Sequence, residues 1–478
     1  MSPTNSPVIV WFRRDLRLAD NPALNAAVRG GRPVIALYIH DPGSAGPWAE
    51  GGAQRWWLHH ALTALGGALA GLGIPLRLAQ GPIREVLSRL IAITGAAEVT
   101  WNRIYEPWAE ARDTALEAML TEAGLRVRSF NASLLFEPRD ITTGTGTPFK
   151  VFTPFWRACR AAPPPARPLP VPDSLIPAPD FPGGETLADW RLLPTTPDWA
   201  GGLNQTWNPG EAGARDRLRR FLDDGLADYA ESRDQAGRDG TSGLSPHLHF
   251  GEIGPRQLYH AILDARGGGG GTDRFLAELG WREFSAHLLH HRPDLPERPL
   301  RPEFADFPWR EDRPGLRAWQ RGRTGFPLVD AGLRQLWRTG WMHNRVRMIA
   351  ASFLVKDLMI PWQEGARWFW DTLVDADLAS NSASWQWVAG CGTDAAPYFR
   401  VFNPVLQGEK FDGDGTYVRR WCPELARLPN RWLHKPWQAP PDILRRAGVR
   451  LGLDYPAPIL DHDQRRKTAL AAYSALRP

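Results

Sequence analysis

The densest run of residue types that could do chemistry lies between Thr241 and Gln407. It opens with GTSGLSPHLHFGE, where Thr241, Ser242 and Ser245 stand among glycines just ahead of a helical pattern. Small residues there let hydroxyls and backbone N–H groups close on an anion, and a helix start adds partial positive charge. The same pattern also serves as an ordinary helix cap. Further on, WRTGWMHNRVRM sets Arg347 among apolar residues, and WFWDTLVDADLASN does the same for Asp375 and Asp377. Buried ions are costly unless paired, so one reading is a buried Arg–Asp pair and the other a solvated helix face. No carboxylate stands at metal-ligand spacing from a histidine, so no metal site is expected. Tryptophan is the other oddity, with 23 in 478 residues. Large aromatics fill cores, but flat rings also stack on bases and pass electrons, and position must decide.

Two kinds of element must position these residues. Residues 8–130 alternate short apolar runs with helical patterns: strands at 8–12, 34–39, 76–79, 99–102 and 127–130, helices at 22–29, 54–72, 83–94 and 108–123. That alternation predicts a Rossmann-like parallel five-stranded sheet with helices on both faces. WFRRDLRLADN follows the first strand in place of a glycine-rich phosphate turn, so a standard dinucleotide site is not expected there. Residues 161–209 are proline-rich yet hold Trp190, Trp199 and Trp207, which predicts an ordered connector. From Glu211 onward the pattern is helical, for example at 214–226, 274–291, 331–339, 344–356, 365–373 and 440–447, with the glycines of 267–271 read as a loop. The division expected is 1–132, an antenna-type α/β domain; 133–210, a connector; and 211–478, an all-α domain.

Composition is that of an ordinary globular chain, 43% hydrophobic and 23% charged. The formal charge of +5 fits either a basic groove or a merely basic surface. Cys159, Cys391 and Cys422 cannot form a disulfide framework, which suits a reducing cytoplasm. The opening MSPTNSPVIVWF has no basic segment before an apolar core, and no apolar run is long enough for a bilayer, so neither a secretory signal nor a membrane role is expected.

FLAELGWREF, TGWMHNRVRM, DADLASN with WQW, and GTDAAPYFRVFNPVLQGEKFD, together with VWFRRDLRLADNPAL at the start, resemble the photolyase/cryptochrome family over nearly the whole chain. The resemblance implies FAD in the helical domain and light-driven repair of cyclobutane pyrimidine dimers. An electron passes from excited FADH⁻ to a dimer flipped into the pocket. Tyr229, Thr241, Ser242, Gly243, Leu244 and Ser245 match positions holding the phosphate and adenine end. Asp375, Ala376 and Asp377 match those along the ribityl and ring, Asn381 faces flavin N5, and Phe275, Asn344 and Arg347 complete the set, Arg347 pairing with Asp375. Trp385, Trp362 and Trp309 match the photoreduction chain, from flavin to surface. Trp281 and Trp387 match the walls of the dimer pocket, with Glu278, Asn344 and Met348 as its polar and soft contacts. Arg233, Arg282, Arg345 and Gln407 match DNA-contacting positions, again with Glu278, Trp281, Asn344 and Trp387. The partner implied is UV-damaged DNA, bound by a monomer in the bacterial cytoplasm and nucleoid.

MHNRVRM lacks the paired histidines usual in (6-4) enzymes, and the sequence runs to Pro478 with no long tail of the kind signalling cryptochromes carry. The alternative function is a cryptochrome-type blue-light photoreceptor with FAD and no repair. A second chromophore is expected to be 5,10-methenyltetrahydrofolate, with 8-hydroxy-deazaflavin or an empty site as alternatives. Trp108 and Ala109 stand where one folate-binding mode has Asn-Glu. Trp56 or Trp57 would stack on the pterin, or else fill one face of an amphipathic helix.

Overall fold

The structure is a computed structural model describing residues 6–181, 184–265, 269–394 and 399–476. Five parallel strands, β1 (Val8–Phe12), β2 (Val34–His40), β3 (Leu76–Gln80), β4 (Glu98–Asn102) and β5 (Arg126–Phe130), form one sheet in the order β3-β2-β1-β4-β5. In register, Val8 lies opposite Val34 on one side and Glu98 on the other. Every residue of β1, β2 and β4 is buried. Strands covered on both faces can read as near-unbroken apolar runs, as β1 and β2 do, whereas β4 buries Glu98, Thr100 and Asn102 among Val99 and Trp101. The edge strands β3 and β5 carry Arg77, Arg126 and Arg128 and are partly exposed. Ile9, Trp11, Leu37, Val99, Trp101, Leu116 and Leu120 pack one core of this sheet.

The sheet reverses its strand order between β1 and β4, where α/β proteins commonly bind ligands. Here the chain's own charges meet at the strand ends. Arg13 pairs with Asp113 at 2.5 Å, Arg14 pairs with Glu106, and Asn102 donates to Asp15 at 2.6 Å and to Asn21 at 2.8 Å.

The proline-rich connector is pinned rather than loose. Leu169 N donates to Asp20 Oδ1 at 3.1 Å, Val34 bridges to Pro177, and Glu185 N donates to Leu78 O at 3.0 Å. Trp190 and Trp207 are buried. Among the described residues beyond Gly210 no named strand occurs, and helices dominate. Two expected helices end in π turns: Glu211–Arg220 runs into Phe221–Gly225, and Asn344–Ser352 into Phe353–Asp357. Each π turn closes the end of its helix, so no further apolar turns follow to show the shift in phase and the sequence does not announce it.

The glycine run 267–271 is corrected in part. Residues 267–268 lie outside the described residues, but Gly269 to Gly271 open the helix Gly269–His291. Gly271 sits there because a Cβ would meet Leu226 O at 1.8 Å, a close approach that only glycine permits.

The chain divides into two compact units. One comprises Met1–Ala227, Ser242–Pro293 and Val374–Leu378; the other comprises Asp228–Thr241, Asp294–Leu373 and Ala379–Pro478. No helix among the described residues is long and apolar enough to cross a membrane.

Candidate cofactor and substrate site

In the unit that contains the sheet, the helix Gly269–His291 carries Phe275, Glu278, Trp281 and Arg282. Their spacing brings them round to neighbouring faces of one helix. Phe275 is buried against Phe221, with ring centroids 4.8 Å apart. Trp281 is half-buried and lies flat on Phe152, 3.8 Å between centroids at an interplanar angle of 8°. That leaves one indole face backed by protein. Glu278 lies 3.6 Å from Arg274, one helical turn earlier. Arg282 donates to Ser133 O at 2.6 Å, so its guanidinium is already engaged with the chain. Gly280 lets the helix approach Trp156, whose ring a Cβ would meet at 2.6 Å. Next to these stands Glu283, which accepts from Leu135 N at 2.9 Å and Phe136 N at 3.1 Å. Burial pushes its carboxyl up to about 7, against the pull of Arg282.

The same unit holds the serine loop and the DADL segment. Gly243 has φ +61°, and a Cβ there would meet the Arg217 guanidinium at 2.5 Å. Ser242 Oγ accepts from Leu244 N at 3.3 Å, and Leu244 is buried. Ser245 Oγ donates to Asp375 Oδ2 at 2.6 Å, so two expected site residues 130 positions apart meet directly. Ala376 is held by Gln54, a buried side chain whose Nε2 donates to the Ala376 carbonyl at 2.7 Å. Asp377 adds its charge to the Arg14–Glu106 pair. Burial pushes the Glu106 carboxyl up, opposed by Arg14 and by the 2.7 Å bond from Trp108 Nε1, while Asp377 reinforces the rise. Burial, then Arg14, holds the nearby His249 down to about 3.

The other unit holds the remaining expected residues. Tyr229 is buried beneath Arg233, whose guanidinium carbon lies 5.6 Å from the ring centre. Thr241 is half-buried. Asn344 is exposed at the start of the helix Asn344–Ser352, which His343 caps by accepting from Arg345 N. Arg345 Nη2 donates to Asp234 Oδ2 at 2.7 Å, and its Nη1 lies 3.9 Å from Met348 Sδ. Arg347 Nε donates to Met342 O at 2.7 Å.

Asn381 is buried early in the helix Leu378–Ala389, and its Nδ2 donates to Ala366 O at 3.1 Å. Trp385, 2% exposed, lies against Phe369 at 5.0 Å and Trp319 at 6.2 Å. Gly365 makes room for it, since a Cβ would come within 2.1 Å of the indole. Trp362 is likewise buried, whereas Trp309 is half-buried beside Phe307 at 4.4 Å. Trp387 is half-buried, its Nε1 donating to Asp394 O at 3.0 Å. Gln407 is half-buried on the helix Pro404–Phe411, whose cap Asn403 accepts from Val405 and Leu406 N. Residues 395–398 of the GTDAAPYF motif lie outside the described residues.

Sequence reasoning missed Phe152, Gln54, Glu283 and Asp234. Each acts through a partner distant in the sequence, and no local pattern marks it. Trp56 and Trp57 are buried and their N–H groups engaged, by Asn204 Oδ1 at 3.1 Å and Glu252 Oε1 at 2.9 Å. Packing on one face of the helix Gly52–Gly71 accounts for both.

Two family profiles match this chain: DNA photolyase over residues 8–173, and the FAD binding domain of DNA photolyase over residues 275–475. A deoxyribodipyrimidine photo-lyase of Agrobacterium fabrum (strain C58) is 53% identical, over 100% of this chain and 99% of the relative. Cryptochrome-1 of Arabidopsis thaliana is 41% identical, over 98% of this chain and 70% of the relative. The crystal structure of a bacterial class III photolyase from Agrobacterium tumefaciens superposes with a TM-score of 0.97 at 53% identity, over 100% of this chain and 99% of that one.

Proposed function

The chain belongs to the photolyase/cryptochrome family, and from that premise we propose that it is a deoxyribodipyrimidine photo-lyase reversing cyclobutane pyrimidine dimers in DNA under light. The observation that carries this reading is the end-to-end match at 53% identity to a protein of that name, against 41% for the plant cryptochrome.

The residues present fit FAD. Asn381 is buried, and among the described residues its Oδ1 accepts no hydrogen bond, which leaves an amide oxygen for a flavin N5–H. Gly243, at φ +61°, lets the Arg217 guanidinium approach the 241–245 loop, where a Cβ would meet it at 2.5 Å, so a cation stands beside the serine hydroxyls, a donor set that suits phosphate. Tyr229, Thr241, Ser242, Gly243, Leu244 and Ser245 would hold the phosphate and adenine end. Phe275, Asn344, Arg347, Asp375, Ala376, Asp377 and Asn381 would hold the rest. When bound, reduced FAD supplies one electron to the dimer under light and takes it back after the ring opens.

The chain's own part is placement. Trp281, already stacked on Phe152, offers its other face to a flipped base, with Trp387 as the second wall. Glu278 bonds to the base edges, and Asn344 and Met348 complete the pocket. Arg233, Arg282, Arg345 and Gln407 hold the flanking strand without reading sequence. Trp385, Trp362 and Trp309 pass electrons inward to keep the flavin reduced; two are buried and one half-buried, as a path from interior to surface requires.

The same proposal covers a monomer acting in the cytoplasm on nucleoid DNA, the three-part division at 132 and 210, and 5,10-methenyltetrahydrofolate as antenna. The test is to identify the bound chromophore by absorption, then illuminate the protein with a reductant and an oligonucleotide bearing one thymine dimer. Flavin bands with light-dependent loss of the dimer are expected. Flavin photoreduction with an intact dimer would favour the cryptochrome reading. Glu278→Ala is expected to lower the repair yield per photon while FAD stays bound.

A further inference from the structure

Two of the guanidinium groups that this reading sets against DNA share one carboxylate. Asp234 Oδ2 accepts from Arg345 Nη2 at 2.7 Å, and Asp234 Oδ1 lies 3.7 Å from Arg233 Nε. The Asp234 side chain is 34% exposed, that of Arg345 22% and that of Arg233 9%, so the carboxylate and Arg345 sit at the edge of solvent with Arg233 set deeper behind them. Arg345 is further fixed on its other sides. Its guanidinium lies 4.5 Å over the Phe411 ring, its Nη1 3.9 Å from Met348 Sδ, and its backbone N donates to His343 Nδ1 at 3.2 Å. Ala236 N donates to Phe411 O at 3.3 Å, which ties the segment after Asp234 to the helix carrying Gln407. His343 adds no charge near neutrality, because burial holds its imidazole down to about 4 despite Asp234. The cluster is therefore two cations organised by one anion.

An arginine that binds phosphate works through a planar fork, and the fork is useful in proportion to how well it is fixed beforehand. A lone Arg233–Arg345 pair would repel and spread; a carboxylate between them holds both near each other. Against this, the carboxylate repels any phosphate that approaches. The two effects act on different kinds of binding. Non-specific DNA binding depends on charge alone, so it gains when the anion is removed. Binding of a flipped dimer requires phosphates and pocket to be met in one geometry, so it also loses what the fixed forks supplied.

We infer that Asp234 is a positioning residue for substrate DNA: its carboxylate fixes Arg345 and Arg233 in the orientation that receives the phosphates beside the flipped dimer. The inference rests on the reading above that these arginines face DNA.

The test is Asp234→Asn, which keeps the shape and removes the charge, with dark binding measured on undamaged and dimer-bearing duplexes over a range of salt. Undamaged duplex is expected to bind more tightly, and the preference for dimer to fall by about tenfold, the cost of refixing one or two long side chains. FAD absorbance stays that of the wild type, and Asp234→Glu restores part of the preference. Equal tightening on both duplexes would overturn the inference, since Asp234 would then be a repelling charge only. Equal weakening on both would overturn it as well, leaving a support of the fold. A wild-type protein without dimer preference would instead overturn the reading of the site, whatever the variant does.

Discussion

Tryptophan is packed in different ways in the sheet and in the helices. In the sheet, Trp11 and Trp101 meet edge to face at 5.8 Å, both shut away from solvent, and neither indole N–H finds an acceptor among the described residues. Arg13 covers Trp11 at 4.5 Å. Both rings are enclosed by the core. Trp281 and Trp387 are less enclosed: the first lies flat on Phe152 with Phe284 edge-on at 5.9 Å, the second is anchored through its N–H to Asp394 O, and both are half-buried. A half-exposed ring held in place by its neighbours is the arrangement a transient stacking partner would need. Trp385 is a third kind, buried yet fitted into a space that Gly365 leaves.

This contrast can be broken by mutation. Trp101→Ala removes core, and should cost about 3–5 kcal/mol of stability by urea unfolding. Repair per folded, FAD-bearing molecule should be unchanged; a selective loss of repair would mean that the sheet tryptophans are more than packing.

The next largest effect sharpens the contrast within one helix, where Trp281 and Glu283 are two residues apart. Burial raises the Glu283 carboxyl from its ordinary 4.5 to about 7. Across that window the folded chain holds a proton that the unfolded chain releases, so stability falls as pH rises and levels off above it. The full drop is about 3 kcal/mol, since each pH unit between the two values is worth about 1.4 kcal/mol. Glu283→Gln should flatten this part of the pH–stability curve, measured by thermal unfolding between pH 4.5 and 7. An unchanged slope would show that Glu283 is not the titrating group.

The smallest expected effect is on binding. Trp281→Ala should weaken dimer-bearing DNA by about 1–3 kcal/mol, the worth of one base–aromatic stack, with little change in melting temperature. A large fall in melting temperature with unchanged affinity would place Trp281 with the sheet tryptophans.

The parts of this fold legible in the sequence are those whose cause is local. All five strands stand where the apolar runs put them, and 22–29 and 83–94 are helices with the bounds their patterns gave. The serine loop and the DADL segment read locally as no more than a helix cap or a solvated face, and the family resemblance is what marks them as candidates. What could not be read is what holds them. Gln54 reaches Ala376 across 322 residues, and Glu283 takes its two N–H groups from Leu135 and Phe136. Such pairs exist only after the chain has folded. The π turns were hidden for a different reason, since each closes the end of its helix and leaves no further turns whose period could reveal it.

The measurement that tests the central claim most directly is an action spectrum: dimers reversed per incident photon against wavelength, on an oligonucleotide bearing one thymine dimer. The account predicts reversal that follows reduced-flavin absorption, with an added near-UV band if a folate antenna is bound, and none in the dark. Dimer loss that persists in the dark, or no loss at any wavelength from a protein that binds flavin, would contradict it.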